Sequence, residues 1–170
     1  MDLSSCIARL RANGAALVAL ARQMDGEAAS WSPAPGAWCV LEVVNHLADE
    51  EAEDFRTRLR LTLTEPEADW PPIDPQGWVK ARDYAGRRLG PSIERFRAER
   101  AASLGWLVAL GPVDWAAEHV HPAFGAMSAG NLMAAWVDHD LHHLRQLVDL
   151  QHRWWSRVAA PYDAGYAGDW

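Results

Sequence analysis

Apolar residues recur three and four positions apart along this chain and almost nowhere two apart, and that spacing restricts the fold more than anything else in it. Leu3, Ile7, Leu10, Gly14, Leu17, Ala21 and Met24 form the first such stripe. With 3.6 residues per helical turn, all of them fall on one face. Asp2 or Ser4 is placed to cap the start. Gly14, inside the stripe, predicts close approach by a neighbouring helix. No segment alternates strongly with period two, so strands are at most incidental.

Turn signals divide the rest of the chain. Ser32-Pro33-Ala34-Pro35-Gly36 breaks it first. A second helix is expected over about residues 40–63, and the proline-rich stretch 66–75 reads as a long loop over one end of the fold. Residues 78–89 suggest a further helical piece. Gly90-Pro91 separates it from, or kinks it into, a third helix bearing Ile93, Phe96, Leu104, Leu107 and Leu110. Gly111-Pro112 stops that helix. A loop with His119, His121 and Gly125 leads to a fourth helix over about residues 129–154, and a tail rich in Pro, Gly and Tyr covers 155–170. The 170 residues show no repeat and no second boundary. The expectation is a single all-α domain: a four-helix bundle over about 3–154, with a long second-to-third-helix connection and a C-terminal tail.

A formal net charge of −7 argues against nucleic acid as a partner, because no basic stripe is present to neutralise phosphates. Cys6 and Cys39 stand alone, which excludes a disulfide framework and a thiolate zinc site. The apolar run 15–21 is too short for a membrane span and lacks a cleavage site, so a cytoplasmic protein without a membrane partner is expected. The ten tryptophans are expected in the core or in pocket walls.

The segment WVDHDLHHLRQL at 136–147 carries three histidines. On a helix, His139 and His143 lie about 40° apart around the axis and roughly 6 Å along it, so two imidazoles can converge on one cation. His142 lies on the other flank and is a candidate to assist. Gln146 shares the face of His143 and is a candidate to hydrogen-bond behind it. A third ligand is available as His46 in VLEVVNHLADEE, with Asp49 and Glu50 near the same face, whereas Cys39 is roughly 10 Å away along the axis. The alternative for the His pair is a solvated polar face. His119 and His121, beside Pro122, read as pocket or surface residues and His152 as solvent-facing.

Apolar stripes lie opposite the histidines on both helices: Val40, Val44, Leu47, Ala48 and Phe55 on the second, and Val137, Leu141, Leu144 and Val148 on the fourth. Leu132, Trp136, Leu147 and Leu150 also flank the histidine face, so the fourth helix is expected to be buried on more than one side.

Other sites with related spacing fit less well. A zinc protease would need Glu where Asp140 stands. An HD-type phosphohydrolase would recruit His46, His139, Asp140 and Asp149 but leave His143 idle. A di-iron bundle needs two ExxH pairs, and the sole match, Glu118 with His121, runs into Pro122.

The segments WxxxEVVNHLADEE and FGAMSxxNLMAAWVDHDLHHLRQL, with RFRAER at 95–100 between them, resemble the DinB/YfiT-like superfamily of four-helix-bundle metalloproteins. The resemblance extends from Leu3 to about Trp154. It implies that His46, His139 and His143 hold one divalent ion, zinc or nickel, with coordination positions left for water or substrate. It also implies a homodimer acting on a small molecule. For the reaction it implies a thiol-dependent S-transferase or isomerase using a low-molecular-weight thiol, with a metal-dependent hydrolase as a lesser alternative. Glu50 or Asp49 would then accept a proton or orient a ligand. The rival reading is a non-catalytic, dimeric metal- or ligand-binding bundle.

Overall fold

The computed structural model describes residues 1–170. Helix α1, Leu3–Arg22, starts on Asp2, whose carboxylate accepts the Ser5 backbone N–H at 2.8 Å. One turn, α2 (Glu27–Ser30), precedes α3 (Val40–Asp49). The N-terminus of α3 is held by Glu42, which accepts the Cys39 backbone N–H at 2.7 Å. The helix then widens into a π-helical segment, Glu50–Phe55, and continues as α4, Arg56–Thr64. Helix α5 is Pro75–Ala81, α6 is Leu89–Ala109 and α7 is Ala129–Ala159. Four long helical units (α1, α3–α4, α6 and α7) form the bundle, and none is long and apolar enough to cross a membrane.

Several boundaries differ from the sequence expectation. The piece expected at 78–89 is α5, which starts earlier because Asp74 accepts the Gly77 N–H at 2.9 Å. Gly90 and Pro91 neither separate nor kink helices. They sit in the first turn of α6, where an N–H has no partner within the helix and proline costs little. The fourth helix runs on to Ala159. The loop before it contains a hairpin, β1 (Glu118–His121) and β2 (Gly125–Ser128), with Glu118 opposite Ser128 and His121 opposite Gly125. Four-residue strands are too short to leave a clear alternating pattern.

Each long helix reads apolar, polar, apolar from end to end, so the interior is layered. One apolar layer holds Leu17, Val44, Leu47, Phe96 and Leu147; the other holds Leu10, Leu59, Leu107, Met133 and Trp136. Between them, along each helix, come Gly14, Glu51, Arg100 and Asp140. Arg100 donates to both Asp140 oxygens at 2.8 and 2.7 Å, to Glu51 Oε1 at 2.9 Å and to the Leu10 carbonyl at 2.6 Å. Trp136 Nε1 donates to the same Glu51 oxygen at 2.7 Å. A Cβ on Gly14 would stand 3.3 Å from the Arg100 side chain, which explains the glycine expected at a close approach. Trp70 and Trp136 are buried as expected, but Trp155 and Trp170 are 61% and 70% exposed.

Candidate metal centre

The polar layer opens on one side onto three imidazoles. Helix α3 supplies His46 from inside an almost wholly buried run, and α7 supplies His139 and His143 one turn apart. His139 Nε2 lies 3.2 Å from His46 Nε2 and 3.1 Å from His143 Nε2, and the three candidate ligand atoms lie within 4.8 Å of one another. Two nitrogens held tetrahedrally at zinc-like bond lengths stand roughly 3.3 Å apart, so the spacing fits one ion. A single shared proton could satisfy only one such pair. The donor set, three imidazole nitrogens, suits a borderline divalent cation.

The environment keeps these rings neutral. Burial, reinforced by His143, pushes His46 down to about 3. Burial and the neighbouring imidazoles push His139 to about 2, and burial lowers His143 as well. Gln146 stands where expected, its Oε1 2.8 Å from His143 Nδ1. An amide oxygen only accepts, so that assignment puts the proton on Nδ1 and turns the Nε2 lone pair toward the other imidazoles. Trp38 packs against His46 at 4.8 Å between ring centres and lies parallel to His143, while Phe55 covers His139 at 5.1 Å. A cavity of about 500 Å³ opens beside the imidazoles, lined by Trp38, His46, Gln76, His143, Gln146 and Asp149.

The two candidate carboxylates take different places. Glu50 is buried behind His46, with Oε1 3.8 Å from Nδ1 and thus on the side away from the cluster. Neither atom has another partner. Burial and the adjacent Asp54 push Glu50 up to about 8. Asp49 points elsewhere: it is fully buried, pairs with Arg82 at 2.7 Å, and accepts from Tyr84 and Arg95. Burial alone would raise its pKa, but those hydrogen bonds win and hold it below the usual carboxylate range. Asp49 is thus engaged by three donors, Arg82, Tyr84 and Arg95.

His142 is exposed and pairs with Asp138 at 3.0 Å, touching none of the three imidazoles. Asp140, which the protease and phosphohydrolase readings would need at the metal, has both oxygens occupied by Arg100. In the hairpin region His119 stacks on Trp70 at 4.3 Å, and His121 sits tilted against the same ring at 5.6 Å. His152 does not stand free in solvent, because Trp170 stacks on it at 4.1 Å.

Sequence reasoning missed the Arg100 network, although a signal was present. Arg100 stands four residues from Phe96 and Leu104, Glu51 four from Leu47 and Phe55, and Asp140 four from Trp136 and Leu144. A charge at an apolar-stripe position flanked by apolar residues needs a buried partner.

A family model described as the DinB superfamily matches residues 9–147. A protein of Oceanobacillus iheyensis named "Putative metal-dependent hydrolase OB0782" is 28% identical over 130 residues, covering 76% of this chain and 74% of the relative. A similarly named protein of Geobacillus thermodenitrificans is 27% identical over 154 residues, covering 89% and 85%. The solved structure of YfiT from Bacillus subtilis superposes with a TM-score of 0.77 at 23% identity, covering 89% of this chain and 86% of that one. It is described as a four-helix bundle of unusual topology, and the likeness shows that the fold is shared.

Proposed function

This chain belongs to the DinB superfamily, and we propose that it is a metal-dependent enzyme transferring a low-molecular-weight thiol to a small electrophilic substrate. The observation that carries the reading is an open cluster. Three Nε2 atoms converge, and the nearest carboxylate, Glu50, lies on the Nδ1 side of His46 and cannot close the set. His46, His139 and His143 would hold zinc or nickel, with the remaining side facing the cavity. A structural site is usually closed by four protein ligands, so the open arrangement favours catalysis over a purely structural ion.

When bound, a divalent ion at this site would lower the pKa of a thiol or a water toward neutrality. The protein's own residues then hold and orient. Gln146 fixes the His143 ring, and Trp38 and Phe55 shield the cluster from water. The cavity carboxylate Asp149 is engaged by Arg153 at 2.7 Å and Trp170 at 3.3 Å. With Glu50 pushed up to about 8 and Asp149 engaged, neither carboxyl is a ready base at neutral pH, and a thiol, more acidic than water, is the better nucleophile. Hydrolysis is the second reading, carried by the names of the relatives.

We also take the protein to act as a homodimer, with a second copy covering the apolar strip formed by Cys6 of α1 and by Val137 and the 45%-exposed Leu141 of α7.

Elemental analysis of protein purified without an affinity tag tests the site. About one divalent ion per chain is expected, lost in His46→Ala, His139→Ala and His143→Ala while helical circular dichroism persists. Assays of the metal-loaded protein then compare displacement of halide from an activated aryl halide by a thiol with cleavage of a nitrophenyl ester. Absence of bound ion after incubation with zinc or nickel would overturn the reading. Ester cleavage without thiol transfer would replace it with hydrolysis.

A further inference from the structure

Twelve residues beyond His46, on the same continuous helix, Arg58 is nine-tenths buried. Only its Nε meets a carboxylate, Asp54 Oδ1 at 2.8 Å. Both terminal guanidinium nitrogens lack a hydrogen bond to the protein, yet neither is sealed from solvent. They belong to the wall of a second cavity, of about 870 Å³, between the proline-rich connection and the hairpin. An arginine nine-tenths buried, with its paired N–H groups open to a cavity, leaves those hydrogen bonds to whatever fills the cavity.

The surroundings define what would complete it. The guanidinium lies over the Trp70 ring, 4.8 Å from its centre. Phe124, 71% exposed at the hairpin tip, stacks on His121 at 4.7 Å. His121 Nδ1 accepts the backbone N–H groups of Ala123 and Phe124 at 3.1 and 3.3 Å, which places its own proton on Nε2 as a donor. One forked cation, one imidazole donor and flat apolar walls together suit a carboxylate attached to a planar apolar body. Asp54 already neutralises part of the arginine's charge, and the exposed Asp69 stands at the rim. Both disfavour a dianion such as phosphate.

The helix also aims this cavity. In a regular α-helix, twelve residues would leave Arg58 roughly 120° from the face of His46. The π-helical segment absorbs one extra residue, so the net offset is roughly 20°. Consecutive residues of α5 line the two cavities, Pro75 this one and Gln76 the one beside the imidazoles.

We propose that the Arg58 cavity is a binding site for a monocarboxylate with a flat apolar body, the end of the substrate remote from the metal centre. Only the second half rests on the metal reading; the carboxylate site itself does not.

The test is fluorine NMR line broadening of 4-fluorobenzoate by the protein as purified, with 4-fluorobenzyl alcohol as the neutral counterpart. Benzoate should bind about tenfold or more tightly than the alcohol, and Arg58→Gln should weaken it about tenfold. Phe124→Ala, at an exposed tip where folding is not at stake, should weaken it severalfold. His139→Ala should leave it unchanged. Absence of benzoate binding, equal binding of the alcohol, or full affinity in Phe124→Ala would overturn the site. Loss of binding in His139→Ala would place the carboxylate at the imidazoles and overturn it too. If benzoate binding survives in His139→Ala but no variant affects metal content, the metal reading fails and the carboxylate site stands.

Discussion

A histidine that is to bind a cation must give up its proton, and burying three imidazoles together enforces this at a cost the metal-free protein should reveal. The folded-state pKa values of His46 and His139, about 3 and about 2, lie below the unfolded value of 6.5. The unfolded chain therefore binds more protons below pH 6.5. Stability is fully present above that pH and is lost as pH falls toward 3. In metal-stripped protein, urea unfolding should show a loss of about 1.4 kcal/mol per pH unit for each such histidine. A flat profile between pH 6.5 and 5 would contradict the burial argument. Arg100 makes a different demand. Arg100→Leu leaves Glu51 and Asp140 buried without a cation, so a loss of about 3–5 kcal/mol in the same unfolding measurement is expected. The histidines and the carboxylates were all visible as residues in the sequence. The partners of the carboxylates were not, because they are brought from other helices, as Arg100 is to Asp140.

At the scale of elements, the π-helical segment is the feature with most influence. The Arg56 N–H bonds to the Glu51 carbonyl five residues back, and Thr57 Oγ1 donates to the Ala52 carbonyl at 2.8 Å. Thr57→Val keeps the shape but removes that donor, and should cost about 1 kcal/mol. Because the segment is one residue inserted into an otherwise regular helix, deleting Ala52 restores α-helical phase on both sides. That variant should keep its helical content and its metal, with a shift in melting temperature of a few degrees. Collapse of the fold on deletion would show that the widened turn is integral to the packing. Periodicity located the helix around it well, since apolar spacing reports burial over many residues. It could not locate one widened turn, because a hydrogen-bond shift of one residue leaves composition and local spacing almost unchanged. The hairpin and the start of α5 escaped for a related reason: both are short and are set by side-chain caps and by what they pack against.

For the whole molecule, the two apolar layers with charge between them explain how one bundle can be stable and still present three imidazoles to a cavity. The apolar layers supply the burial that folding requires, and Arg100 neutralises the carboxylates in between. The remaining apolar strip beside Leu141 leads to the prediction that light scattering after size exclusion gives the mass of two chains. Leu141→Glu should shift it to one chain without loss of bound metal. What the sequence by itself determined was the all-α architecture and the pairing of His139 with His143, because helical period and the i, i+4 geometry are local properties of the chain; His46 joined that pair through the family resemblance. What only the tertiary structure decided was which charged residues face one another: Asp49 with Arg82, Arg95 and Tyr84, Asp140 with Arg100, Glu50 behind His46, and Arg58 toward a cavity. The energy of a buried charge depends on the partner brought to it from another helix, and the packing that brings it is not written in the spacing of any one helix.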